Sequence, residues 1–177
     1  MLFRSIVYID ENNNKETREF PLIQAFFDNC IIDGSLSADT AKKYSGEIMF
    51  STDNENYDGH ETLFNYYFNH CIIKTGKVTG ERFNNVLFIS KIYDENKDIN
   101  EEGSIRYIKS RVEIKDDKDK RSDFIFDFRL ADESAGIGKA DRSISEQYPT
   151  DRYGVNRLTS NNSPSIGAYE YVPQEDK

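Results

Sequence analysis

The side chains with chemistry to offer are two cysteines, two histidines and a surplus of carboxylates. Cys30 and Cys71 hold equivalent places in two copies of one motif, Phe27-Asp28-Asn29-Cys30-Ile31-Ile32 and Phe68-Asn69-His70-Cys71-Ile72-Ile73. If the copies lie side by side, their spacing falls within the range a disulfide tolerates, but parallel side-chain directions suit that bond poorly. Between large apolar neighbours, the two cysteines read as a buried thiol ladder. Neither belongs to a Cys-x-x-Cys pair, and two histidines are too few to complete a zinc site. His60 falls in a polar loop and His70 in a strand motif, and no Gly-x-Ser-x-Gly context accompanies either. The oxygen-rich runs 53–58 and 94–98 offer hard ligands of the kind calcium takes, yet neither has the turn glycine and closing glutamate of a spaced calcium loop. No catalytic, cofactor-binding or metal site is therefore expected. The aromatics Tyr57, Phe64, Tyr66, Tyr67 and Tyr93 could stack on sugar rings. Phe64, Tyr66 and Phe68 share one strand parity and belong to a core, which leaves Tyr57 and Tyr67 as the candidate glycan-stacking pair.

These residues must be positioned by short strands. The two motifs, with a weaker third copy at Phe83-Asn84-Asn85-Val86-Leu87-Phe88-Ile89, are echoes of one strand unit. Alternation puts Phe27, Asn29 and Ile31 on one side and Asp28, Cys30 and Ile32 on the other. Further strands are predicted at 46–50, 62–67, 105–108, 112–114 and 124–130. The run 115–121 mixes both signs of charge and reads as a solvated turn, and the tail is punctuated by Gly and Ser. With no amphipathic helix of three or more turns, a sandwich or a β-solenoid remains, and the echoes favour the solenoid. Asn29, Cys30 and Ile31 would then form a ladder with Cys71 and Ile72. A sandwich would instead require antiparallel pairing of the echo strands.

The chain has 177 residues, enough for one domain with a real core. Charged residues make up 31%, yet 13% aromatics argue against wholesale disorder. A net charge of −9 with no basic cluster disfavours nucleic acid as a partner. No apolar run is long enough to span a bilayer, and no signal-type segment is seen. Residues 1–5 look foreign to the rest of the chain and read as non-native or leader sequence.

The tail carries Asp151-Arg152-Tyr153-Gly154-Val155-Asn156-Arg157 and Ser163-Pro164-Ser165-Ile166-Gly167-Ala168-Tyr169-Glu170. Together with the Phe-x-Asn-Cys-Ile-Ile units, it resembles the last coils and closing segment of secreted right-handed parallel β-helix proteins of Bacteroidetes, the pectate-lyase-like superfold. Ala135-Gly136 departs from the Pro-Ala usual there. The resemblance implies an all-β, right-handed parallel β-helix, with coils over 6–130 and a C-terminal capping segment and tail over 131–177. Asp151, Gly154, Arg157, Gly167 and Glu170 would pin the cap, Arg157 pairing with Asp151 or Glu170.

On this reading the chain is a non-catalytic β-helix module of a secreted or surface-anchored protein, such as an outer-membrane lipoprotein, with a polysaccharide or a surface protein as partner. The alternative is the terminal part of a polysaccharide lyase or glycoside hydrolase whose active site lies upstream, where acid-bound calcium would serve the chemistry. Fold likeness alone does not choose between them.

Overall fold

A run of alternating side chains followed by Asp-Glu-Asn-Asn-Asn is a hairpin signal, and the chain opens with one. In the computed structural model, which describes residues 4–20, 22–34, 36, 38, 45–48, 64–76, 78–89, 105–109, 127–159 and 162–173, β1 (Arg4–Ile9) pairs antiparallel with β2 (Lys15–Phe20). The Asp10 carboxylate accepts the backbone N–H groups of Asn12 and Asn14, and Asn13 takes a left-handed φ of 67°. Arg4 and Ser5 lie within this ribbon, opposite Phe20 and Glu19.

The echoes form the centre of the structure. β3 (Leu22–Asp28), β5 (Phe64–Asn69) and β7 (Phe83–Asn84) make one parallel sheet, and β4 (Ile31–Ile32), β6 (Ile72–Lys74) and β8 (Leu87–Ile89) make another. Phe27 pairs with Phe68 and Phe68 with Phe83; Ile31 pairs with Ile72 and Ile72 with Leu87. Between each pair of strands stands one residue with positive φ: Asn29 at 54°, His70 at 49° and Asn85 at 51°. Asparagine tolerates this region better than most L-residues, so each echo is a strand, a left-handed corner and a second strand. The corner overturns the simple alternation expected for the motif. Phe27, Cys30 and Ile32 all pack on the core of Phe68, Cys71 and Ile73, whereas Ile31 joins a second core with Ile72, Ala140 and Ile166. The Phe68 ring is the centre of the first, stacked on Phe27 at 4.5 Å and on Phe83 at 5.7 Å.

The right-handed parallel β-helix implied by the resemblance is not what forms. Among the described residues two of the four sheets are antiparallel ribbons, each sheet has two or three strands, and the sheets do not curl into a solenoid. The physical reason lies in the connections. Successive coils must return over similar lengths to the same sheets, but Ile32 and Phe64 are far apart in sequence while Lys74 and Phe83 are close. The echo strands pair parallel, so the antiparallel contact a sandwich required is not present between them either.

The second ribbon joins β9 (Tyr107–Lys109) to β10 (Asp127–Leu130), with an irregularity between Asp127 and Leu130. After β10 the described residues hold no further strand and run through α1 (Arg142–Gln147) to the closing segment. Asp141 caps α1 by accepting the N–H of Ser143, as an aspartate ahead of a first helical turn does.

Truncating the central ring tests this packing. Phe68→Ala should cost about 3–5 kcal/mol, while Phe26→Ala, on a side chain 63% exposed, should change stability by less than about 0.5 kcal/mol. Urea unfolding of both variants measures the contrast, and equal losses would rule out Phe68 as the centre.

Candidate functional site

The densest polar cluster forms where the C-terminal segment meets the corners of the parallel stack. Asn29 is its hub. Its side-chain oxygen accepts the Asp141 N–H at 2.6 Å, and its amide donates to the Asp141 carbonyl at 3.0 Å and to Ser145 Oγ at 3.3 Å. Its own carbonyl accepts the N–H of Gly167 at 2.9 Å. Gly167 has φ 108°, a backbone conformation that favours glycine, and a Cβ there would also press on the Ile31 Cδ1 tip at 2.9 Å.

One rung on, the Asn69 amide donates to Asp28 Oδ1 and to Asp141 Oδ2, and its oxygen accepts from Asn84 at 2.7 Å. His70 stacks at the corner beside it. Its Nδ1 lies 2.9 Å from Asn69 Oδ1 and 3.8 Å from Asp141 Oδ2, and its Nε2 lies 3.1 Å from Asn85 Nδ2. Both ring nitrogens are thus engaged in holding corners together. Hydrogen bonds from Asn69 first and Ser143 next, with the nearby His70, hold the Asp141 carboxyl down at about 2.

A second cluster closes the tail. Asp151 accepts the N–H groups of Tyr153 and Val155 on one oxygen and of Glu170 on the other. Gly154 supplies the turn with φ 82°. Glu170 accepts from Ser165 N and Oγ and stands 3.6 Å from the Arg157 guanidinium. Arg157 also donates to the carbonyls of Ser165 and Gly167. Its ionic partner is Glu170, and Asp151 is engaged with backbone instead.

The cysteines face each other across the stack as free thiols, Cys71 fully buried and Cys30 partly so. Cys71 donates to the Phe27 carbonyl at 3.2 Å and Cys30 to that of Asp28 at 3.2 Å. The contact with Cys30, and then burial, push the Cys71 thiol well above its usual range, which makes it a packing group and a poor nucleophile.

Of the proposed glycan-stacking pair, Tyr57 lies outside the described residues, as do His60 and the runs 53–58 and 94–98. Tyr67 is half-buried, edge-on to Phe26 with ring centroids 6.3 Å apart. Among the described residues no group of His, Cys, Asp and Glu could hold a metal ion.

A different aromatic feature stands beside the tail cluster. Tyr153, 67% exposed, stacks on Tyr169 with centroids 4.9 Å apart and an interplanar angle of 25°. The Arg129 guanidinium lies 5.9 Å from the Tyr153 ring centre. Arg129 and Tyr153 border a cleft of about 320 Å³ lined also by Leu130, Asp151, Val155 and Glu170 among others. Sequence reasoning did not single out this pair, since the tyrosines stand sixteen positions apart and no local period joins them. Asp141 was also missed, though an aspartate ahead of Arg-Ser-Ile-Ser-Glu is a recognisable helix cap.

No protein-family model, curated protein or solved structure matches the chain.

Two measurements check the junction. Asn29→Ala removes three side-chain hydrogen bonds and places a Cβ-bearing non-Asn residue in the left-handed region, and should cost about 2–4 kcal/mol. Asn29→Gly restores the backbone freedom alone and should recover about 1 kcal/mol of that loss; equal stability of the two would show that the corner conformation contributes nothing.

The second is pH. An unfolded aspartate titrates at about 3.9, above the folded value for Asp141, so its bonds stabilise the fold fully above that pH and are lost as pH falls towards about 2. Thermal melts should therefore lose stability over that window, and Asp141→Asn should flatten the loss. An unchanged acid profile in that variant would refute the role of the carboxylate.

Proposed function

We propose that this chain is a non-catalytic, glycan-binding module of a secreted or surface-anchored bacterial protein. The observation that supports this is the placing of aromatic rings. Tyr153 stands 67% exposed and stacks on Tyr169, so an aromatic ring held by its neighbour is open to a partner. Tyrosine is well suited to such contacts, with a large amphipathic face and little side-chain entropy to lose.

The polar groups favour binding over turnover. Asp141, Asp151, Glu170, Asn69 and His70 are each engaged in fixing backbone or a neighbouring corner. A general acid or base must instead keep an atom within hydrogen-bond reach of a substrate proton. Placement outside the cell rests on the likeness of the closing segment to those of secreted surface proteins. Among the described residues no helix is long and apolar enough to cross a membrane.

Native gel electrophoresis of the full chain through gels containing soluble polysaccharides tests the reading, alongside assays for reducing ends and for unsaturated uronate products. Retarded migration without product formation is the expected result. Saturable release of product by the chain would replace the binding reading with an enzymatic one.

A further inference from the structure

Resting on the glycan-binding reading, we infer that the cleft bordered by Tyr153, whose ring is backed by Tyr169, is the binding site and that it takes neutral sugar units in preference to uronates. Tyr169 holds the Tyr153 ring in place, so a sugar that packs against Tyr153 meets a surface already ordered. Among the described residues neither phenol hydroxyl has a hydrogen-bond partner. Each can donate and accept, which matches the hydroxyls of a pyranose. The cleft, at about 320 Å³, lies at the small end of ligand sites and suits a short stretch of sugar rather than a long buried chain.

The charges select the class. Arg129 is the cation at the cleft that a uronate carboxylate would seek, but it is already paired with Asp127. Its Nε lies 2.9 and 3.1 Å from the two carboxylate oxygens and its Nη2 lies 2.5 Å from one of them. Arg157 is likewise engaged by two carbonyls and Glu170. The Asp151 carboxylate accepts three backbone N–H groups and lines the same cleft. A second carboxylate brought there would meet like charge, with both arginines already engaged, on a chain whose net charge is −9. A neutral ring meets no such repulsion, and the exposed Tyr153 ring offers its apolar sugar face a partner.

The test uses the full chain in gels containing a neutral β-glucan, a neutral galactomannan or polygalacturonate, with the variants Tyr153→Ala, Tyr169→Ala, Tyr153→Phe and Phe26→Ala. Thermal melts confirm that each variant folds. A neutral polymer should retard the chain, and Tyr153→Ala or Tyr169→Ala should weaken retardation about tenfold, the loss of an aromatic anchor. Tyr153→Phe should lose less, and Phe26→Ala should leave binding unchanged. Retardation by a neutral polymer that survives Tyr153→Ala and Tyr169→Ala overturns the cleft and leaves glycan binding standing. Retardation by polygalacturonate alone overturns the neutral class. No retardation by any of the three polymers removes the glycan reading itself, and this site with it.

Discussion

The left-handed corner at Asn29, repeated at His70 and Asn85, is the constraint on which the rest of the structure depends. A strand that ran straight through these positions would carry Cys30 away from Phe27. The corner returns it to the same side, so that one core receives Phe27, Cys30 and Ile32 and the next face receives Ile31. The corner N–H groups of Asn29 and His70 still find parallel partners: that of Asn29 donates to Asn69 O and that of His70 to Asn84 O. The turn therefore leaves neither backbone donor stranded, which is what allows it to repeat.

The same corner recruits the C-terminal segment. Asn29 offers its side-chain amide to the backbone of Asp141 in both directions, a substitute for the pairing that another strand would give. Ile166 and Ala140 then cover the apolar face of Ile31 and Ile72. Polar recognition and apolar burial thus arrive from one segment, and Gly167 permits the close approach between them. The segment brings Tyr153 and Tyr169 with it, so the aromatic cleft depends on docking that begins far away at Asn29.

Several carboxylates with assigned contacts serve backbone. Asp10, Asp141 and Asp151 each accept peptide N–H groups in a turn or cap, and Glu170 does so at Ser165. A chain with few long strands has many peptide groups outside ladders, and short acidic side chains are the nearest acceptors for them. The acidic composition is thereby tied to the irregular backbone, and the negative surface results from it.

Much of the core was legible in the sequence, because the echoes of Phe, Asn, Cys and Ile set out which residues would meet across strands; Ile31 and Ile72 are direct partners, and Phe27 stacks on Phe68. The short strand lengths and the tail glycines were legible too, since turn chemistry is local. The global winding was not: local echoes specify pairing between neighbours, while closure into a solenoid depends on the length and path of every connection. The face of each side chain was hidden for a related reason, because a single left-handed residue reverses the alternation and Asn can stand either inside a strand or at a corner. Only the tertiary structure brought Asp141 to Asn69 and Tyr153 to Tyr169, contacts made between segments whose meeting is decided by burial of Ile166 and Ala140 and not by any period along the chain.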